Sequence, residues 1–331
     1  MAAGDPAGNN PSQNSKNTST INQTGDGSGG NTANVTQVGT SNATANQIGH
    51  NNTADIDQQN NGGRSGIGFE NDAIINQGVG GAAQDNYARI LQKGHTNDGT
   101  VNQTGSSHEA YIDQQSALRD GQATITQSGQ NHLASIVQNG STVGESSPGA
   151  MDNGNYGPNT ATITQSGTDQ IGYVTQLTDG NTATVEQSGL SNEAYVNQGT
   201  AGETPGTAGD HKALVQQFGT DDYVSINQTG RANEVKTYQT EYDNRIVVTQ
   251  SNGLNKAAMS QQDGNSNRAN ITQSGNNNTV QGLSDEYARQ SGNGNQFTSN
   301  QTGGFGVIQL GQTGTNNIAN VTQAGGGTLV P

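Results

Sequence analysis

The chain contains no cysteine and no tryptophan, only four phenylalanines, and only 12 lysines and arginines in 331 residues. Without cysteine, disulfide staples and thiolate chemistry are excluded. Hydrophobic residues make up 27%, against roughly 45–50% apolar in an ordinary soluble domain. The two globular cores that this length would suggest therefore cannot be filled. No run of 18 apolar residues occurs, so no segment reads as a membrane-spanning helix. The bases are too few and too scattered to displace counterions from nucleic acid, and the net charge of −15 points the other way. That charge is dilute, without an acidic block. It reads as a device that keeps the chain soluble and delays self-association.

What is abundant is amide and glycine: 43 Asn, 36 Gln and 49 Gly. Composition alone would suggest a disordered, prion-like polymer, but order along the chain overturns that. A nine-residue phrase, Asn-x-Ala-x-(Ile/Val)-x-Gln-x-Gly, recurs as NTANVTQVG at Asn31, NTATITQSG at Asn159, NTATVEQSG at Asn181, NRANITQSG at Asn267 and NIANVTQAG at Asn317. Anchored on its Gln, the phrase gives 23 copies from Gln23 to Gln323, plus a degenerate NTVQGLS ending at Ser284. Of the 22 intervals between anchors, 13 are eleven residues. Two residues before the anchor, Ile or Val fills 18 of 23 copies, where random placement would supply between two and three. Four before, Ala fills 15, and six before, Asn fills 15.

Positions that repeat every second residue point to one face of a strand, whereas a helix would scatter them. Eleven residues fit a strand of about seven and a turn of about four, the turn carrying Gly, Asn, Asp and Ser. One branched aliphatic and one alanine per strand supply roughly 2–4 kcal/mol of burial. Ordering the backbone costs on the order of 1–2 kcal/mol per residue. A lone repeat cannot stand, so stacking is compulsory. The expected fold is an all-β solenoid of about twelve coils, two strands per coil, spaced about 4.8 Å and making a rod of about 57 Å. Its inward columns include Asn17, Ile21 and Gln23 of the first copy, then Asn31, Ala33, Val35 and Gln37. Further along they include Asn159, Ala161, Ile163 and Gln165, and then Asn181, Ala183, Val185 and Gln187. They end with Asn267, Ala269, Ile271 and Gln273, and with Asn317, Ala319, Val321 and Gln323. Ile/Val and Ala columns form a thin dry core, while amide columns hydrogen-bond along the stack as in cross-β ladders.

Around the repeats at 17–325, residues 1–16 read as a flexible leader and 326–331 as a tail. Insertions near 59–70, 78–85, 139–158, 199–210 and 285–294 interrupt the period and are expected to bulge from the rod. The opening MAAGDPAGNN has neither a basic nor an apolar signal region, consistent with a cytoplasmic chain or a signal peptide already removed.

Residues that could carry chemistry fit the repeat better than a site. His108, His132 and His211 replace the inward Asn, and no His pair has metal-ligand spacing. Gly25–Gly30 and Asp152–Gly157 only faintly resemble calcium loops. No phosphate-binding or nucleophile-elbow motif occurs, so neither enzymatic activity nor a cofactor is expected. Asp221 with Asp222, and Glu241 with Asp243, are the nearest approach to paired carboxylates. Tyr111, Tyr173 and Tyr195 share an outward slot, as a packing ladder or a binding stripe. The Thr pairs and triplets at 124/126, 160/162/164 and 182/184 lack the uniform flat face of an ice-binding array.

The phrase resembles the curlin repeat of curli, bacterial extracellular amyloid fibres, whose pattern runs Ser-x5-Gln-x-Gly-x-x-Asn-x-Ala-x3-Gln. Here it stands, from just before the first Gln, as TITQSGQNHLASIVQ (Thr124 to Gln138) and TVEQSGLSNEAYVNQ (Thr184 to Gln198). The resemblance implies a secreted major fibre subunit, exported unfolded through an outer-membrane pore and polymerised on a nucleator subunit at the cell surface. Independently, both terminal copies are near consensus, whereas a monomeric solenoid needs atypical caps. End-to-end homopolymerisation is therefore expected. The alternative is a monomeric solenoid that binds through one outward face, as an adhesin or ice-binding module.

Overall fold

The computed structural model describes residues 17–25, 29–59, 70–78, 83–94, 96–115, 121–139, 158–200, 208–283, 286–325 and 327–329. Its strands alternate between two sheets. Thr18–Thr24 begins sheet 1 and Thr32–Val38 begins sheet 2; Ser41–His50 then returns to sheet 1, and Thr53–Gln59 to sheet 2. The winding continues to Gly306–Gln309 and Gly311–Thr313 in sheet 1 and Ile318–Ala324 in sheet 2, twelve levels in each sheet. Strands of neighbouring levels pair in parallel. The fold is the expected all-β solenoid.

Register follows the anchors. Gln127 pairs with Gln103 below and Gln165 above, Ile125 with Val101 and Ile163, and Ala123 with Gly99 and Ala161. Gln165 follows Gln138 by 27 residues instead of eleven, yet it takes its place in the column. The inward face thus dictates pairing across the insertion, because a one-residue slip would turn every buried side chain outward.

The corners explain the Gly after the anchor. Gly129 has φ +116°, and a Cβ there would lie 2.0 Å from the carbonyl oxygen of Gly167 one level on. Backbone stacks on backbone, leaving no room for a side chain. Two residues later Asn131 adopts φ 56°, the left-handed conformation that Asn and Asp tolerate best.

Between the sheets lies a single file of apolar side chains. Ile125, Ile163, Val185 and Val215 stack along sheet 1, and Ile112, Ile136, Val174 and Val196 along sheet 2, all buried. Small Ala columns beside them let the sheets approach. In Gln296–Thr302 the sizes are exchanged: Phe297 fills the Ala position over Ala269, and Ser299 fills the branched position over Ile271.

The degenerate copy is one level made of two pieces. Thr279–Gln281 pairs with the first half of Lys256–Gln262 and Ala288–Ser291 with the second. Glu286, between the pieces, reaches Lys236 two levels away as an ion pair. Flanking strands place the insertions near 59–70, 139–158 and 199–210 at the corner from sheet 2 to sheet 1, and that near 78–85 at the opposite corner. Residues 60–69, 79–82, 140–157, 201–207 and 284–285, on which the expected bulges fall, lie outside the described residues, as do residues 1–16. Within 326–331, Gly327–Leu329 pairs in parallel with Gly306–Gln309 in sheet 1.

Candidate self-assembly site

Twelve anchors stack in each sheet. In sheet 1 the ladder runs from Gln23 to Gln312, each Nε2 donating to the next level's Oε1 at 2.7–3.1 Å. Sheet 2 repeats this from Gln37 to Gln323 over the same range of distances. Nε2 also donates across the core to a backbone carbonyl of the facing sheet, as Gln138 does to Gln122 at 2.9 Å. That second bond fixes which end of the amide is which and ties the sheets together. Both ladders therefore run in one sense, from the first coil towards the last.

The Asn column also hydrogen-bonds along the stack, by amide-to-amide bonds at four levels, such as Asn52 Nδ2 to Asn31 Oδ1 at 3.1 Å, and more regularly through the main chain. Its Oδ1 accepts the backbone N–H of the equivalent residue one level on: Asn31 from Asn52, Asn52 from Asn86, and so to Asn295 from Asn317. The side chain is one methylene shorter than Gln and sits at the corner, so the nearest donor is the main chain. Its Nδ2 closes the preceding turn, as in Asn192 to the Ser188 carbonyl at 2.9 Å.

In sheet 2 the substitutes His108, His132, Gln170 and Asp222 accept the same N–H. His108 Nδ1 accepts from the His132 N–H, and His132 Nδ1 accepts from Gln170, while Nε2 of each lies 3.0 and 2.9 Å from the Thr104 and Ser128 carbonyls. The rings stack 4.8 Å apart, 3° from parallel. Burial lowers the His108 pKa to about 4 and lowers that of His132, so both are neutral imidazoles. Asp222 also occupies the column, its Oδ1 accepting from Asn244 at 3.0 Å. Its Oδ2 is buried without a partner, and burial raises its pKa to about 7. The carboxylates singled out in the sequence thus do separate jobs: Asp222 is in the core, while Asp221, Glu241 and Asp243 sit in corners at φ 54°, 79° and 53°.

The inward residues predicted from the sequence divide by position. Asn159, Ala161, Ile163, Gln165, Asn181, Ala183, Val185, Gln187, Asn267, Ala269, Ile271 and Gln273 are all buried. At the first coil Asn17, Ile21 and Gln23 are exposed, and Asn31, Ala33, Val35 and Gln37 half-buried. At the last, Asn317 is exposed, Ala319 half-buried, and Val321 and Gln323 just buried. Sequence reading missed Gln290, which joins the sheet 1 ladder between Gln261 and Gln312. Its spacing of eleven to Gln301 was the available signal, hidden by Ser284 and Ala288 at the Asn and Ile/Val positions.

Outside sheet 2, Tyr173 and Tyr195 stack at 5.4 Å and 7°, Tyr195 meets Tyr223 at 5.8 Å, and Arg245 lies 4.3 Å over the Tyr223 ring. Ring faces are turned to one another and hydroxyls to carboxylates, Tyr87 to Asp55 and Tyr111 to Glu109. That is the geometry of a stiffening ladder. Across sheet 1, Thr124, Thr162 and Thr184 align, but Leu214 and Lys212 end the patch one level on.

Two parallel sheets wound from one chain, with unbroken amide ladders at each corner, define a β-solenoid with cross-β stacking. Residues 83–115, 159–189 and 242–275 match the family model of the curlin associated repeat, so the chain carries stretches similar to that repeat. Each matched stretch carries three anchors of the same ladders. No curated protein matches the chain. Among the described residues no helix is long and apolar enough to cross a membrane.

Proposed function

We propose that this chain is a structural subunit that polymerises end to end into an extracellular, curli-like amyloid fibre of a biofilm matrix. Its work is assembly and not catalysis. The reading is carried by one observation: among the described residues the end coils present the same columns as the interior with no full coil upon them, so Ile21 is 47% exposed where Ile125 is fully buried. The ladder sense makes the faces complementary. The ladders start at Gln23 and Gln37, which donate to the next level, and end at Gln312 and Gln323, whose Oε1 atoms accept from the level before. One copy's last coil fits another copy's first, head to tail, as each interior coil fits the next. A nucleator subunit and an outer-membrane export pore follow from the family resemblance as further partners.

The test is electron microscopy of the purified chain after dilution from denaturant. The expected result is unbranched filaments with a subunit repeat near twelve strand spacings, about 57 Å. Rods one subunit long that persist for days at tens of micromolar would overturn the proposal and favour a monomeric binding solenoid.

A further inference from the structure

We infer that Gly327–Leu329 is a displaceable cap, seated in the lane that the first strand of a second copy must enter for the stack to continue. The inference rests on the end-to-end reading and concerns how it is regulated. Winding alternates sheet 1, sheet 2 from Thr18–Thr24 to Ile318–Ala324, leaving twelve full levels in each. A second copy that keeps both Gln ladders in register must set its own Thr18–Thr24 on Gly306–Gln309 and Gly311–Thr313, and its Thr32–Val38 on Ile318–Ala324. Among the described residues the second place is open. The first is half taken, because Gly327, Thr328 and Leu329 pair with Gly306, Val307 and Ile308.

Burial at the two faces agrees with this. Along sheet 1 at the last level Ile308 and Leu310 are fully buried, whereas at the first level Ile21 is exposed. If the tail strand stayed, sheet 1 would run one level ahead of sheet 2, and the incoming coil would have to climb a strand spacing, about 4.8 Å, between its two halves. Three paired residues are few enough to be exchanged for the seven of Thr18–Thr24. The open edge of Gly311–Thr313 and of sheet 2 gives the incoming chain a foothold before the exchange. Every junction contains one such face, so the cap acts on growth at both filament ends.

The experiment compares the full chain with one shortened to end at Gly325, and with a second variant carrying Thr328→Pro and Leu329→Pro. Alternate residues of a parallel strand bond to a given neighbour, so one of two consecutive prolines removes a ladder bond. Sheared filaments of the full chain seed each soluble chain at equal mass. Both variants are expected to elongate faster, on the order of tenfold, the factor that two backbone hydrogen bonds of ordinary net strength supply. In the soluble chains, amides of Gly306–Gln309 are expected to lose hydrogen-exchange protection in both variants. Equal elongation rates, slower elongation, or unchanged protection of those amides would overturn the cap. Absence of elongation by all three chains would instead overturn the polymerisation reading on which it rests.

Discussion

The coil built on Ile125 and Gln127 and the coil built on Ile21 and Gln23 are written in the same code but stand in different environments. Ile125 and Gln127 have a level on either side and are buried. Ile21 and Gln23 have one neighbour, at Ala45 and Gln47, and every residue of their strand is exposed. Burial in this protein is therefore a property of the stack and not of the repeat. A strand with one aliphatic side chain gains its core only when another strand lies on each side, which is the nearest-neighbour energetics of repeat proteins. The repeat alone contains no instruction to stop. The two ends also differ from each other, because Val321 at the last level keeps 8% exposure against 47% for Ile21.

The hardest test of that comparison is a charge placed in each ladder. Gln165 accepts from Gln127 and donates to Gln187 and to the Leu133 carbonyl. Gln165→Lys leaves an ammonium buried without a counter-charge, at a cost of about 3–5 kcal/mol. Gln23→Lys, on an exposed side chain, should cost under about 0.5 kcal/mol in the soluble chain. Urea unfolding of the two variants measures both, and equal losses would break the distinction between interior and end.

The second test uses titration, since only interior groups are desolvated. The Asp222 pKa is raised from 3.8 to about 7 by burial. Its contribution is complete below the unfolded value and lost as pH rises towards 7, by roughly 4 kcal/mol. The buried histidines act with the opposite sign. The His108 pKa is lowered from 6.5 to about 4, so stability present above the unfolded value is lost as pH falls towards 4, by roughly 3 kcal/mol. Between these limits the two slopes oppose. Asp222→Asn should leave a chain that gains stability as pH rises from 4 to 6.5, and His108→Asn with His132→Asn one that loses it. Unfolding midpoints across that range give the signs, and a flat profile in the Asp222→Asn chain would show that the imidazoles are not desolvated.

A third test moves from stability to growth. Val321→Lys or Gln323→Lys should leave the soluble fold in place, because Ile318–Ala324 is paired on one side only. Seeded elongation should fall by about tenfold to a hundredfold, since the junction would bury the new charge. Unchanged elongation would mean that the last coil is not where the next chain docks.

Much of this was legible because the inward face repeats every second residue and the anchor every eleven. That fixed the strands, the columns and the place of Asn181 or Ile163 within them. Other features are invisible to a period. Gln290 was hidden because its level is interrupted between Gln281 and Ala288, so the residues completing its pattern lie on the far side of an insertion. The Asn column bonds along the stack as expected, but its main-chain share was not legible, because chain order names the neighbour and not that its main-chain N–H also lies within reach. The strand at Gly327–Leu329 carries neither Asn, Ala nor Gln; it pairs through its backbone, which any sequence can offer at an open edge.

The smallest effect probes a level whose core is inverted by an aromatic ring. Phe297 stands where 15 of 23 copies have Ala and Ser299 where 18 have Ile or Val, and the Ser299 hydroxyl is buried without a partner. Ser299→Ala removes that orphan at nearly constant volume and should raise stability by about 1 kcal/mol. Ser299→Ile restores the consensus at that position only, and Phe297 already fills the space, so it should destabilise by about 1–3 kcal/mol. Adding Phe297→Ala should then recover most of the loss, although Phe297→Ala alone opens a cavity and costs about 3–5 kcal/mol. The two positions would show coupling well beyond additivity in a double-mutant cycle. Additive effects would mean that each column is filled independently, and that the inverted pair is two accidents instead of one compensated exchange.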